Sequence, residues 1–439
     1  MFDRPAINAN PSQTGFSLAI SARDIVTVSL YVIFYFYFKG GYYFLHNRFQ
    51  ELGFLFSIGL SVYAALMAAL NVRSSDLAWS KWVLTTMAFL GYAMVLPAYL
   101  WGHYNQVSMI PSILASREFL AAIIGPTLWF LYRNGYAIEK VEEIILITSG
   151  LLIISYIFHY FRLDLQAAFN STDAHTKGMV MHDEWRGYRL KTPGMAMVIS
   201  SVSAPYLAAK AKSAAARWYW ILIAALCVYS WYLIKGRSAI AMLIAGVILY
   251  HVWFARKERL GLLFFSLPVV LPAMAYITVE YFVAMKNVDA GVRYRAYMTA
   301  FDVIKEYPMF GYGMQSAATI TEQDVFGSKF YSADIGFVGI GFKYGLVGLA
   351  LYYVFTIGAL VKAVTTNHLL VRKTGRCNIL LIAIIVKIVG DLFKFVLSID
   401  YMYIQGVTVI AVVIAMSAIY RHKYAATNEL SKPQTSLPA

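Results

Sequence analysis

Apolar runs of about 20 residues recur along the chain, separated by short polar stretches. An α-helix of about 20 residues, rising ~1.5 Å per residue, crosses a hydrocarbon core of ~30 Å. By this measure the pattern predicts about 12 spans, at residues 22–39, 51–71, 80–101, 112–132, 141–161, 193–210, 217–234, 237–255, 260–284, 334–362, 377–397 and 401–420. The segment 193–210 is short and carries Pro193 and Pro205. Only a tight turn separates 217–234 from the next run. The stretch before Asp24 is polar and lacks the short apolar core of a cleaved signal, so the first run reads as a retained span. The expected fold class is all-α: a polytopic membrane protein whose long outer loop carries an amphipathic helix. A single integral membrane domain is expected over residues 1–439.

The polar stretches alternate in charge. With the N-terminus on the cytoplasmic side, the inner loops hold Arg73 and Lys81; Arg133 and Lys140; Lys210, Lys212 and Arg217; Arg256, Lys257 and Arg259; and Lys362, Arg372, Lys373 and Arg376. Arg421 and Lys423 begin an inner tail, and residues 425–439 read as its mobile end. The short outer loops at 102–111 and 398–400 carry no Lys or Arg. This is the positive-inside asymmetry, and it predicts both termini in the cytoplasm. Two outer segments are long, 162–192 and 285–333, and loops of that length are usually functional or disordered. Both mix Trp or Tyr with charges, which argues against pure disorder.

Composition narrows the class. The chain is 60% hydrophobic and only 14% charged, against about 45–50% and ~25% in an average soluble domain. The 33 Tyr and 28 Phe suit interfacial belts and aromatic-lined cavities. The net charge of +14 sits in short loops at alternate helix ends, so nucleic acid is a poor partner. The two cysteines, Cys227 and Cys377, imply no disulfide framework.

Five constellations could carry chemistry. Lys235-Gly-Arg237-Ser238 lies at an outer turn; arginine beside a membrane is a functional candidate, with snorkelling to headgroups as the alternative. In the second outer loop, Tyr294, Tyr297, Met298, Phe301 and Ile304 recur at helical spacing and predict an interfacial amphipathic helix. Arg293 and Arg295 stand near its N-terminus, where backbone N–H groups and guanidinium forks both suit a diphosphate. The alternative is a basic face resting on anionic lipid. Asp334 opens a Gly-rich span, Gly339 to Gly348, and is a candidate general base; Asp is also a favoured helix cap. Lys387, Asp391 and Lys394 share one helix face, so Lys387 and Asp391 are either a structural pair or substrate contacts. His182-Asp183-Glu184-Trp185-Arg186 matches no zinc spacing, so no metal is expected; a solvated, partly ordered loop is the plainer reading. Trp185, Arg186 and Arg189 remain candidates for sugar contacts. No phosphate-cradling loop or dinucleotide fingerprint is present in the sequence, and no cofactor is expected.

The stretch Pro308-Met-Phe-Gly311-Tyr-Gly313 follows the arginines, and Tyr344-Gly-Leu-Val-Gly348 follows in the next span. With the outer Gly-Arg-Ser at 236–238, this order resembles the O-antigen ligase and polymerase (Wzy-like) family over roughly residues 230–365. The resemblance implies a metal-independent, inverting glycosyltransferase on the periplasmic face of the bacterial inner membrane. Its donor would be an undecaprenyl-diphosphate-linked oligosaccharide, with a chain-length regulator and a flippase as expected partners. It gives Arg237 and either Arg293 or Arg295 the role of holding the diphosphate, with Tyr312 and Lys235 near the substrate. Ligases of the family usually open the later helix with His-Asn; here Ala333 and Asp334 stand there. That departure favours a polymerase of O-antigen or exopolysaccharide over a ligase acting on lipid A core. The competing class is a transporter, most sharply a lipid-linked oligosaccharide flippase. It would show matching repeat halves and charges spread along a cavity, whereas no repeat is visible and most charges cluster at the outer end.

Overall fold

Ser21 and Asp24 start the first helix with a reciprocal cap. The Asp24 N–H donates to Ser21 Oγ at 3.2 Å and the Ser21 N–H donates to Asp24 Oδ2 at 3.0 Å, which satisfies two backbone donors that a helix start leaves open. From there a computed structural model describes residues 21–39, 49–71, 77–183, 187–234, 288–313, 332–394 and 403–430, with short pieces within 240–250 and at 325–326. The helices are α1 (Ala22–Tyr37), α2 (Phe49–Asn71), α3 (Leu77–Leu90), α4 (Leu96–Asn105), α5 (Ile110–Ala115), α6 (Ile124–Arg133), α7 (Ile138–Arg162), α8 (Leu165–Phe169), α9 (Ala174–Met179), α10 (Gly194–Lys210), α11 (Ala214–Ile234), α12 (Val288–Glu306), α13 (Gly336–Thr374), α14 (Ile379–Lys394) and α15 (Ile404–Leu430). Among the described residues, six helical stretches are long and apolar enough to cross a bilayer: Glu51–Leu70, Lys81–Asn105, Ile138–Arg162, Ala214–Ile234, Gly336–Thr374 and Ile404–Ala425. The protein is an all-α polytopic membrane protein. Those six do not establish the expected number of about 12; of the expected spans, 237–255 lies largely and 260–284 wholly outside the described residues.

Two spans differ from their predicted form. The run 80–101 continues to Asn105, joined at Gly91–Val95 by a π-helical turn ahead of Pro97. The run 112–132 is not one helix but α5, a 3-10 turn at Arg117–Ile123, and α6. The charged pair Arg117 and Glu118 falls at that break, and Glu118 serves another helix: its Oε2 accepts from the Ile404 N–H at 2.9 Å. The first long loop is ordered as α8, α9 and a hairpin of β1 (Val180–Asp183) and β2 (Gly187–Leu190), in antiparallel register with Val180 opposite Leu190.

The core runs through α14. Every residue from Leu380 to Leu392 is buried, as expected of a helix that is apolar all round. It packs against α10 and α13; α15 packs against α13 and α6, and α7 against α1 and α10. The two ends of the bundle differ. At one end Arg133 meets His422, Lys423 pairs with Glu139, and Arg421 reaches Thr365 Oγ1. At the other end lie the end of α1, the hairpin, the starts of α10 and α15, and the end of α11, as the contacts Lys39–Tyr403, Met195–Gln405 and Arg189–Ile234 require. The inner-loop residues Arg133, Arg421 and Lys423 thus gather at one end, as the loop pattern predicts.

Candidate active site

Pro308 ends the α12 segment, because it has no N–H to continue a helix. The following turn enters a break in α13. Gly345 there has φ 66° and ψ −168°, so the helix is interrupted about two and a half turns below its start at Gly336. In an unbroken helix the N–H groups of Leu346 and Val347 would bond the carbonyls of Phe342 and Lys343. Instead Leu346 N–H donates to Pro308 O at 2.8 Å and Val347 N–H to Met309 O at 3.2 Å, while Phe342 O and Lys343 O accept from Tyr312 N–H at 2.7 Å and Gly313 N–H at 3.1 Å. Two opened helical turns have exchanged partners, and all four backbone pairs are kept. A broken helix inside a membrane is tolerated only when the freed groups are satisfied in this way.

The glycines of the motif are explained by this clasp. Gly311 and Gly313 have φ 74° and 99°, a region that L side chains avoid. A Cβ on Gly311 would stand 2.6 Å from the Gly345 nitrogen, and one on Gly345 would stand 2.3 Å from Met309 O. Tyr312 is held from three sides. Its ring meets Trp101 edge-on at 5.2 Å and stacks on Tyr104 at 5.8 Å, and its hydroxyl donates to Asn105 Oδ1 at 3.0 Å. The clasp therefore fixes the outer loop to both α13 and α4. It also holds α12 in place, through Ala296, Tyr297 and Ala300 packed with Ile335, Val338 and Phe342. Here the expected apolar stripe is split: Tyr297 and Ile304 pack on this side, while Tyr294, Met298 and Phe301 are exposed. Small residues let two helices approach closely, so the alanine side is the packed one.

A polar chamber of about 210 Å³ opens where α1, α10, α11, α14 and α15 meet. Its charged lining is Lys39, Lys387 and Asp391, with Thr192, Tyr403 and Gln405. Lys387 and Asp391 form an ion pair in which both carboxylate oxygens accept from the ammonium, and both residues are buried. Burying two charges costs several kcal/mol per ion, so such a pair on the most buried helix needs a reason. The expected grouping of Lys387 and Asp391 holds; Gln405 and Lys39 were not legible as partners. Gln405 Oε1 accepts from the Met195 N–H at 3.3 Å, while its buried Nε2 has no hydrogen-bond partner. Lys39 Nζ lies 5.0 Å from the centre of the Tyr403 ring. Just outside, burial and then the charge of Lys39 hold the Lys191 ammonium below its ordinary pKa.

Arg189, expected at the surface as a sugar contact, is 7% exposed and donates to Ile234 O at 3.3 Å. Its neighbour on β2, Leu190, is buried as well, so this end of the hairpin is covered on both faces. Arg189 therefore secures the end of α11, directly before Lys235. Lys235, Arg237 and Arg186 lie outside the described residues. Two residues on either side of the Lys235–Arg237 segment, Ile234 and Leu243, both line the chamber. Arg293 and Arg295 are on α12, two positions apart and so on different faces; Arg295 is exposed. Asp334 lies in the 3-10 turn Ser332–Ile335 that leads into α13. Among the described residues, none of α12 or of that turn lines the chamber. A second cavity of about 160 Å³, almost wholly apolar, lies beside the break, walled by Trp82, Phe89, Tyr92, Tyr344 and Phe355. Among the described residues, no group of three or more His, Cys, Asp or Glu could hold a metal.

A search of curated proteins found no match for the chain. A family model described as O-antigen ligase (Wzy_C) matches residues 222–353. The matched segment runs from within α11, through the Arg237 turn, α12 and the clasp, to the half of α13 beyond the break. Over that segment, which includes both sides of the clasp, the chain is similar to the O-antigen ligase family.

Proposed function

We propose that the protein is a polysaccharide polymerase. It takes a glycan from an undecaprenyl-diphosphate-linked donor and passes it to a lipid-linked acceptor unit on the periplasmic face of the bacterial inner membrane. The observation that carries this reading is the polar chamber at the end of the bundle opposite the basic loops, with the Arg237 segment joined to two of its lining residues. In the reaction an acceptor hydroxyl attacks the anomeric carbon. The bond from that carbon to the diphosphate oxygen breaks, and the electron pair leaves with the diphosphate. Arg237, with Arg293 or Arg295, stabilises the growing negative charge, a role that preorganised donors fill without a metal. Asp334 takes the hydroxyl proton. Attack from the face opposite the leaving group inverts the anomeric centre.

The family description favours a second reading, a ligase that transfers the glycan to lipid A core. The product separates the two. Purified protein given only a lipid-diphosphate oligosaccharide, in EDTA and without nucleotide, should lengthen it; transfer to lipid A core alone supports the ligase. Arg237→Ala, and Arg293→Ala or Arg295→Ala, should lower the rate by ~10²–10³ while the protein still inserts, as when an oxyanion-stabilising donor is lost. Asp334→Asn keeps a capping side chain but removes the base. It should fold at normal abundance and fail to extend the chain; normal extension would show Asp334 to be only a cap.

A further inference from the structure

We propose that the apolar cavity beside the break binds one acyl chain of a bilayer phospholipid, and that this chain braces the contact between the π-helical turn and α13. The first observation is how the cavity is made. The stretch Lys81–Asn105 and α13, both long and apolar enough to cross a bilayer, meet through aromatic rings. Phe89 meets Phe355 edge-on at 5.6 Å, and Tyr92 stacks on Tyr344 at 6.5 Å. Rings of that size hold the two backbones apart, and the space left between them is the cavity. Its floor is buried, at Gly125 and Pro126 on α6 and at Val407 and Ala411 on α15. Its lining reaches the surface at Thr85 on α3, beside Leu84 and Met87, which are 68% and 67% exposed. In a protein that spans a bilayer, apolar surface of this kind faces acyl chains, so the mouth opens sideways into hydrocarbon.

The second observation is what such a space holds. An apolar cavity of about 150 Å³ stays dry in water and takes up small hydrocarbons. Here the solvent at the mouth is itself hydrocarbon, and a void forfeits the dispersion contacts that a chain would make with its walls. The third observation separates a bilayer lipid from a lipid-linked donor. Val407, Ile410, Ala411 and Ile414 line the cavity as one stripe of α15, whereas Gln405 lines the polar chamber. Two residues turn a helix by about 200°, so cavity and chamber lie on opposite sides of α15. A donor with its head at the chamber would have to pass its chain around that helix. The chain has a structural consequence. Tyr92 OH donates to Tyr344 O at 3.2 Å, and Tyr344 OH donates to Ala93 O at 3.4 Å. This reciprocal pair ties the π-helical turn to the break, and both rings wall the cavity. A chain lying there packs against both.

Trp82 lines the cavity and serves as the reporter. Full-length protein is placed in nanodiscs of dioleoyl phosphatidylcholine or of its dibrominated form, whose bromines quench tryptophan on contact. Each protein is compared with its own Trp82→Phe partner, and the difference is the Trp82 signal. In the parent that signal should be largely quenched by the brominated lipid. Thr86→Phe and Ala122→Phe fill the cavity from two different elements, and each should recover most of the signal. Thr85→Phe blocks the mouth at an exposed position and gives the same readout without disturbing the interior. Equal quenching in the parent and in all three variants would mean that bromines reach Trp82 only from the lipid-facing surface, and overturns the site. Undecaprenyl phosphate added to the brominated bilayer should leave the quenching unchanged; recovery of the signal would make the occupant a prenyl chain and overturn the assignment to a phospholipid. The brace is read by melting. Dioleoyl phosphatidylcholine added to protein in lipid-free detergent should raise the parent's melting temperature, as a native-state ligand does, and raise that of the filled variants far less. An equal rise removes the brace. Binding is measured without turnover, so the proposal stands or falls independently of the polymerase reading.

Discussion

Gly345→Ala is expected to abolish polymer formation and to deplete folded protein, whereas Gly358→Ala, later in the same helix, is expected to do neither. At Gly345 the backbone stands at φ 66°, and an added Cβ would lie 2.3 Å from Met309 O and 2.5 Å from the Phe310 nitrogen. Those neighbours are backbone atoms and cannot turn aside. A left-handed non-glycine residue costs ~1–2 kcal/mol. Relieving the overlap separates the turn from the break and opens some of the four exchanged hydrogen bonds. Each is worth ~1 kcal/mol net in a protein, and an unpaired backbone group at membrane depth costs several. The total, on the order of 5 kcal/mol, rivals the ~5–15 kcal/mol that holds a typical protein folded. Gly358 is helical and has nothing within 4 Å of its would-be Cβ, so alanine there adds helix propensity only. Gly311→Ala should resemble Gly345→Ala, because its Cβ would meet the Lys343–Gly345 backbone on the opposite side of the same clasp. Detergent melting curves and polymer ladders from the same preparations test this. A Gly345→Ala protein that melts with the parent and makes normal polymer would remove the clasp from any account of the fold.

The helices were legible because runs of apolar residues have no other use at this length, and the ends of the bundle were legible from the placement of Lys and Arg. The clasp was not. Pro308, Gly311 and Gly313 announce a turn, but the groups that pair are N–H and C=O, which every residue carries. Nothing in Phe342 to Val347 marks where their partners lie. The packed side of α12 was legible only in part. Periodicity counts large apolar residues, so it found Tyr297 and Ile304, which pack beside α13, together with Tyr294, Met298 and Phe301, which are exposed, and it passed over Ala296 and Ala300. Arg189 read as a solvent-facing loop residue because nothing in the sequence shows that the hairpin packs against the end of α11, where Arg189 donates to Ile234 O. In the chamber, Lys387 and Asp391 were found together since both are on α14 at helical spacing. Gln405 and Lys39 each stand singly at the end of an apolar run, and only the meeting of α1 with α15 joins them.

Asp391→Ala should be the most damaging single change within α14. It removes the carboxylate that receives the Lys387 ammonium, and breaking one side of a buried pair typically costs ~3–5 kcal/mol. Lys387→Met should cost less, since an uncharged side chain of similar length fills the same space and a carboxyl left without its partner can take up a proton. The informative variant is the double one, Lys387→Met with Asp391→Leu. Replacing both charges of a buried pair by apolar residues is often neutral or stabilising by ~1–4 kcal/mol, and α14 is otherwise buried among apolar neighbours from Leu380 to Leu392. The double variant should therefore melt at or above the parent. Its behaviour with substrate then separates the two roles left open for the pair. A pair that only steadies α14 is dispensable once its space is filled, and glycan extension would proceed at the parental rate. A pair that lines the substrate chamber is not, because the filled chamber has lost a donor, an acceptor and the water they held. We expect the second result: a stable protein that inserts normally and extends glycan at least 10-fold more slowly. Full activity in the stable double variant would make the pair a packing device and move the substrate contacts to the Arg237 turn.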